Sequence, residues 1–292
     1  MMTSQVQGEL FKKVDRLQET NSQIASGKRI RRPSDDPTAT AKALSFRQSQ
    51  AESDQFIRNA DDALSQLNAS DASLEGLDTL LSRAREIAIA MANDTADSQM
   101  RESVAAEVKN ILSQMLDFAN ASFNERYLFA GSATTVAPFE SQVEDSRNGG
   151  EGFIYKGNSD ELPREIGPKQ MVAANVILSD KMVTILNNVK AFETSLVEND
   201  VEGIRNQIDT LGDGLDQVNQ ARTDAGARAA RIEMSKDFLL NQKNHIASLL
   251  SDVEDVDIAE VMTRFIEEQN SYRMALEVAA KIVQPTLIDF FN

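Results

Sequence analysis

The chain has 292 residues, with 5% aromatics and no Trp; a deep globular core buries several large rings, so this shortage points to a thin helical build. The net charge is −16 and the pI about 4.6, which argues against a nucleic-acid surface, because phosphate contacts need clustered Lys and Arg. Cysteine is absent, which removes disulfides, thiolate metal sites and cysteine nucleophiles; no apolar run is long enough to span a membrane, and the N-terminus has no apolar stretch of the cleaved secretory kind.

Leu10, Val14, Leu17, Asn21 and Ile24 recur at alternating spacings of four and three. That rhythm puts one stripe along a helix and predicts a coiled-coil seam. Gly27, free to take a positive φ, is placed to stop this first arm. Pro33 keeps Arg32 out of the helical region, Asp36 suits an N-cap, and Pro37 suits the first helical position. A helix is expected from about 37 to 93. Its stripe includes Leu44, Ile57, Ala60, Leu64, Leu67, Leu74, Leu77, Leu81, Ala84, Ala88 and Met91. Asp71 interrupts that stripe, and the step from Leu74 to Leu77 predicts a local change of supercoil.

Asn93-Asp94-Thr95 breaks the pattern. Val104, Val108, Ile111, Met115, Phe118 and Ser122 then mark a second helix over about 97–123, and the short break predicts an antiparallel helical hairpin. From Arg126 the character changes. Tyr127-Leu128-Phe129, Asn148-Gly149-Gly150, Phe153-Ile154-Tyr155 and Gly157-Asn158 alternate aromatic or β-branched runs with turn residues. They predict strands and hairpins, and residues 131–180 read as a small β-rich insert.

Helical spacing resumes with Met182, Ile185, Val189, Phe192 and Leu196. From 204 to 253 the four–three rhythm runs through fifteen positions, interrupted chemically only by Arg222, Lys236 and Lys243. A 3.5-residue period held this long predicts a left-handed supercoil against another helix. Ala225-Gly226-Ala227 leaves room for a close helix approach. The rhythm breaks across Asp255-Val256-Asp257, where Asp257 and Glu260 have the spacing of a capping box. Ile258, Met262, Phe265, Gln269, Tyr272, Leu276, Ala279 and Val283 form the last stripe, and Pro285 is expected to end or kink that helix.

The fold class is therefore mainly α. It reads as a long antiparallel helical rod built from both flanks, with a small β-rich central insert. The expected organisation is terminal arms at 1–36 and 256–292, a rod domain at 37–130 and 181–255, and the insert at 131–180. The arm seam is assigned to Leu10, Val14, Leu17, Ile24, Ile258, Met262, Phe265, Tyr272 and Leu276.

No catalytic constellation, cofactor site or metal site is expected. His245 is the only histidine and sits on the long helix. Asp35-Asp36 reads as capping chemistry before Pro37. Gly149-Gly150-x-Gly152 reads as a turn, because it lacks the Lys-Ser/Thr of a phosphate loop. The basic run Lys28-Arg29-x-Arg31-Arg32 is short and is expected to pair with acidic neighbours.

Ser26-Gly27-Lys28-Arg29-Ile30 followed by Pro33-Ser34-Asp35-Asp36-Pro37 resembles the N-terminal signature of flagellins and hook-associated proteins. Asn59-Ala60, Arg222 with Gly226-Ala227-Arg228, and Asp255-Val256-Asp257-Ile258-Ala259-Glu260 resemble further motifs of that superfamily, in order on both flanks. Asn124 to Gly131 resembles the Gly-Arg-Tyr-Leu-Phe-Ala-Gly stretch of the hook-associated protein 3 family, with Glu125 in place of the usual Gly. Thr286-Leu287-Ile288-Asp289-Phe290-Phe291 resembles that family's ending, while Met1-Met2 stands several residues short of its usual start. The resemblance implies a structural, non-enzymatic protein secreted through the flagellar type III export apparatus with an export chaperone. It implies a place at the hook–filament junction of the bacterial flagellum, as a helical ring of copies of itself between hook-associated protein 1 and flagellin. A flagellin, forming the filament itself, is the nearest alternative. A cytosolic coiled-coil scaffold or a hydrolase housed in the insert are more distant ones.

Overall fold

The computed structural model describes residues 2–93, 96–143 and 151–288. Long helices occupy both flanks and short antiparallel strand pairs the middle. The residues group into two compact units, one of 1–52 with 242–292 and one of 53–241. These divisions fall inside the two long helices, not at the loops near 36 and 255. In the first unit the reason is local: Arg47, three turns into its helix, pairs with Glu254 at 2.9 Å and so belongs with the arms.

In the second unit, helix α2 (Pro37–Met91) turns back through α3 (Ser98–Ala119). This is the expected hairpin. Ser73 Oγ donates to the Phe118 carbonyl, Arg83 pairs with Glu107, and the buried Arg101 donates from Nε to the Met91 carbonyl. Asp97 caps α3 by accepting from the Met100 N–H at 2.7 Å. The helix ends at Ala119, four residues earlier than expected, because the Asn120 side chain leaves helical geometry to clamp both backbone groups of Phe139 at 2.9 Å.

Strands therefore begin before 131. β1 (Ser122–Phe123) and β2 (Arg126–Tyr127) form a hairpin around Asn124-Glu125. β3 (Phe139–Val143) pairs with β4 (Glu151–Tyr155), and β5 (Pro163–Gly167) with β6 (Gln170–Ala173). Residues 148–150 of the expected glycine turn lie outside the described residues. Phe139 and Tyr155 face each other across β3–β4 with ring centroids 5.2 Å apart. Helix α4 (Ser179–Val197) follows, and all five of its expected core positions, Met182 to Leu196, are buried.

The insert is not a separate body. Phe129, Phe139, Phe153, Ile166 and Val172 share one hydrophobic core with Leu74, Leu81, Met115, Phe192, Leu211 and Ile232 from the helices. Each such side chain contributes roughly 1.5–3 kcal/mol on burial. Polar contacts fix the hairpins in place. Asn59 donates to the Glu165 carbonyl, Ser235 to the Ile166 carbonyl, and Arg228 to the Asn175 carbonyl.

Helix α5 (Val201–Glu254) follows the sequence rhythm closely. All fifteen four–three positions are buried or half-buried. Ile204, Leu211, Val218, Ala225, Ile232, Leu239 and Ile246, one every seven residues, are the buried half of the set. Two of its polar exceptions meet charges on α2. Arg222 Nε lies 3.0 Å from Asp71, the residue that interrupts the α2 stripe, and Lys236 lies 2.5 Å from Asp61. As the α2 numbers rise the α5 numbers fall, so the two helices run antiparallel within this unit. Small residues at 225–227 do not serve a close approach on every side. Ala225 is buried, but nothing lies within 4 Å of a Cβ built at Gly226. Leu44 is also displaced from the expected stripe; it is exposed, and Ala39 and Ala43 face inward instead.

Candidate assembly surface

The first unit contains α1 (Met2–Ser26), the start of α2, the end of α5, and α6 (Ile258–Ile288). Gly27 ends α1 at φ +68°, with its N–H returning to the Gln23 carbonyl. This is the left-handed cap its sequence position predicts. Asp36 accepts from the Ala39 N–H at 2.9 Å and starts α2 as expected. Asp35 plays a different part. One of its oxygens accepts the N–H groups of Arg31 and Arg32, and those two bonds hold its carboxyl below the usual carboxylate range.

The basic run pairs locally. Lys28 reaches Asp255 at 2.5 Å and Glu254 at 3.4 Å, and Arg29 lies 3.7 Å from Asp36. The backbones join as well: Arg29 N–H donates to the Glu254 carbonyl and Val256 N–H to the Gly27 carbonyl. Glu254 is 4% exposed and holds both Lys28 and Arg47. A buried carboxylate needs such partners to offset its desolvation. The bond to Asp255 raises the Lys28 amine; Lys28, then Ser251, hold the Asp255 carboxyl down. This clasp ties the base of α1 to the end of α5, just before α6 begins.

Asp257 caps α6 through the N–H groups of Ala259 and Glu260. Only half of the expected capping box forms, because Glu260 pairs with Arg264 one turn on. The helix also continues past Pro285 to Ile288. Proline costs a helix one N–H bond and crowds the preceding turn; three residues from the end, that loss does not terminate it.

Helices α1 and α6 run antiparallel. Lys13 donates to Ser271, and Thr20 donates to Glu268 at 2.7 Å. Leu10, Val14, Leu17 and Ile24 of the expected seam are half-buried, as are Phe265 and Tyr272. Ile258, Met262 and Leu276 are not; they are 49%, 42% and 42% exposed. The side of α6 that meets α1 is set by Val261, Phe265, Glu268, Tyr272 and Ala275. Helix α6 carries apolar residues in more than one four–three register, so residue type alone did not select the inward one. Glu268 and Ser271 sit inward because Thr20 and Lys13 meet them. On α1 the buried Thr20 likewise replaces the exposed Asn21.

The result is a pair of helices with much apolar surface left uncovered. Ile258, Met262 and Ile266 stand at i, i+4 and i+8 on one exposed side of α6, and Phe11 on α1 is 71% exposed. An apolar groove of about 550 Å³ runs between the two, with Val6, Leu10, Met274 and Val278 in its walls. A two-helix pair needs only one stripe per helix; a second one belongs against further helices. His245 is exposed on α5. Among the described residues no cluster is placed to hold a metal, and no helix is long and apolar enough to cross a membrane.

The bacterial flagellin N-terminal helical region matches residues 1–134, and the bacterial flagellin C-terminal helical region matches residues 208–291. Flagellar hook-associated protein 3 of Salmonella typhimurium is 26% identical over 271 residues, covering 85% of this chain and 84% of its own. The same protein of Escherichia coli is 24% identical over 279 residues, with the same coverage. The solved structure of flagellar hook associated protein-3 from Legionella pneumophila shares the fold, with a TM-score of 0.61 at 15% identity over 72% of this chain and 98% of that one. The chain belongs to the bacterial flagellin superfamily.

Proposed function

We propose that this chain is the hook–filament junction protein of a bacterial flagellum. It assembles as a ring of its own copies between hook-associated protein 1 and flagellin, and it performs no catalysis. It reaches that place by export through the flagellar type III apparatus, guarded by an export chaperone. The observation that carries the reading is the likeness to hook-associated protein 3 in sequence, which covers 85% of this chain and so takes in the insert with much of both flanks.

The arms supply the mechanism. Leu10, Val14, Leu17, Ile24, Phe265 and Tyr272 hold α1 against α6 within one chain. Ile258, Met262 and Leu276 point away from that pairing and serve neighbouring subunits. The apolar area they expose is recovered only when other helices cover it, so each copy gains stability on joining the ring. The net charge of −16 keeps free copies apart at modest salt.

Deletion of the gene, followed by electron microscopy of the cells and assay of the medium, tests the role. Hooks without filaments, with unassembled flagellin released to the medium, are the expected outcome. Loss of the filament without released flagellin would make the chain the filament subunit instead. Normal filaments would overturn both readings.

A further inference from the structure

A polar cleft of about 340 Å³ lies in the second unit, away from the arms, between α2 and the chain segments that carry β1, β2 and β5. Its α2 wall is Asp62 and Gln66, which share one side of that helix with Asn59 at spacings of three and four. Asn59 donates to the Glu165 carbonyl at 2.8 Å, so β5 is pinned to this side of α2. On the first hairpin Phe123 and Arg126 are directly opposite partners and face the same way. Leu128, two residues on, follows Arg126 into the cleft, and Leu162 and Arg164 repeat that spacing on the other rim. Hydrogen bonds hold both rims: Tyr127 N–H donates to the Thr134 carbonyl at 2.9 Å, and Leu162 N–H to Asn175 Oδ1 at 2.8 Å. The cleft is therefore preformed.

The polar side chains that line it are not used by the fold. Asp62, Gln66, Asn124, Arg126, Thr134 and Arg164 make no side-chain hydrogen bond or ion pair among the described residues. Asp62 pairs with neither guanidinium of the cleft, whereas the adjacent Asp61 pairs with Lys236. The floor is apolar: Leu128 is buried, and Phe123 and Leu162 are half-buried. Each of these groups asks for a particular partner. A guanidinium fork binds an ionised carboxylate best. Asp62 repels a bare anion and accepts only from a donor, which a hydroxyl supplies. Gln66, Asn124 and Thr134 can each donate and accept, as a polyol requires. The apolar floor suits the C–H face of a ring, and the volume is at the low end for small-molecule sites.

We propose that this cleft binds a sugar acid, a hexuronate ring that is either free or part of an acidic polysaccharide. Its carboxylate lies on Arg126 and Arg164, and its hydroxyls meet Asp62 and the two carboxamides. Every residue of the site belongs to the second unit, so the proposal does not depend on the role assigned to the arms. A single ring with its outer face in water binds weakly, with a Kd on the order of 1 mM.

Amide chemical shifts of the isotope-labelled full chain, titrated with sodium galacturonate at about 0.15 M salt, test the proposal with long-range charge effects screened. Saturable shifts at Asn124, Arg126, Thr134 and Arg164 are expected. Galactose lacks the carboxylate and inorganic phosphate lacks the hydroxylated ring, so each should bind about tenfold more weakly or worse. Arg126→Gln and Arg164→Gln remove no internal partner and should keep the fold by circular dichroism, while each weakens galacturonate about tenfold. Asp62→Ala should weaken galacturonate but strengthen phosphate, because it removes an acceptor and a repelling charge together. Tighter binding of the galacturonate trimer than of the monomer would mark a polysaccharide as the source, and equal affinity the free sugar acid. No saturable shift by about 20 mM, phosphate or galactose matching galacturonate, or binding that survives both arginine substitutions would each overturn the proposal.

Discussion

Replacing Glu125 by Gly should stabilise the protein. Residues 124 and 125 are the two central positions of the β1–β2 hairpin, with φ of 50° and 62°. Two positive values define the mirror-image turn that favours Asn-Gly. Asn124 tolerates that conformation; Glu125 does not, and a left-handed residue with a Cβ costs about 1–2 kcal/mol. Glycine removes this strain but returns about 0.4–1 kcal/mol through the freer unfolded chain. The exposed Glu125 side chain makes no hydrogen bond or ion pair among the described residues that would be lost. The net gain is about 0.5–1 kcal/mol, which in a unit of this size raises Tm by roughly 1–4 °C. Calorimetry of the full chain measures it, with Glu125→Ala as the control. Alanine removes the charge but keeps the Cβ, so it should leave Tm near wild type. A glycine variant melting at or below wild type, or an alanine variant gaining as much, would refute the backbone argument and leave charge as the cause.

Gly131 sits at φ +63°, and a Cβ there would run into the Asn158 backbone oxygen. Gly131→Ala should therefore cost about 2 kcal/mol or more in urea unfolding; a loss under half of that would show the loop yields freely. Arg222→Met and Asp71→Leu should show a coupling of about 0.5 kcal/mol in a double-mutant cycle, small because both groups are partly solvated; additive losses would mean the pair contributes nothing. The depressed Asp255 carboxyl gives stability that is present above its unfolded pKa, about 3.9, and lost as pH falls below it. Asp255→Asn should accordingly lower Tm at pH 7, and the gap to wild type should narrow as pH falls below about 3.9; a gap that stays constant as the pH is lowered would rule out the clasp as its source. Amide exchange in dilute solution should be faster over 5–24 and 258–280 than over α3 and α4, because Thr20 and Val261 are the fully buried residues of the arm pairing. Equal protection would show that the arms need no neighbours to be firmly ordered.

The amino-acid sequence by itself determined the elements whose signals are local or strictly periodic. The α5 seam was legible at all fifteen positions, because a 3.5-residue repeat leaves one continuous face to bury. Gly27, Asp36 and Asp257 were legible as terminators, because caps act within one turn of backbone. Family motifs were legible as well, but their reasons were not. Only the tertiary structure showed that Asn59 and Arg228 anchor the insert, that Arg222 answers Asp71, and that position 125 favours glycine because its φ is positive. The tertiary structure alone also decided which face of α6 meets α1. Several apolar registers coexist on that helix, and the polar partners Thr20 and Lys13, far away in sequence, select the one containing Glu268 and Ser271. Strand pairings, the early end of α3 at the Asn120 clamp, and the merging of the insert with the helical core depend in the same way on contacts between distant residues, which no local spacing encodes.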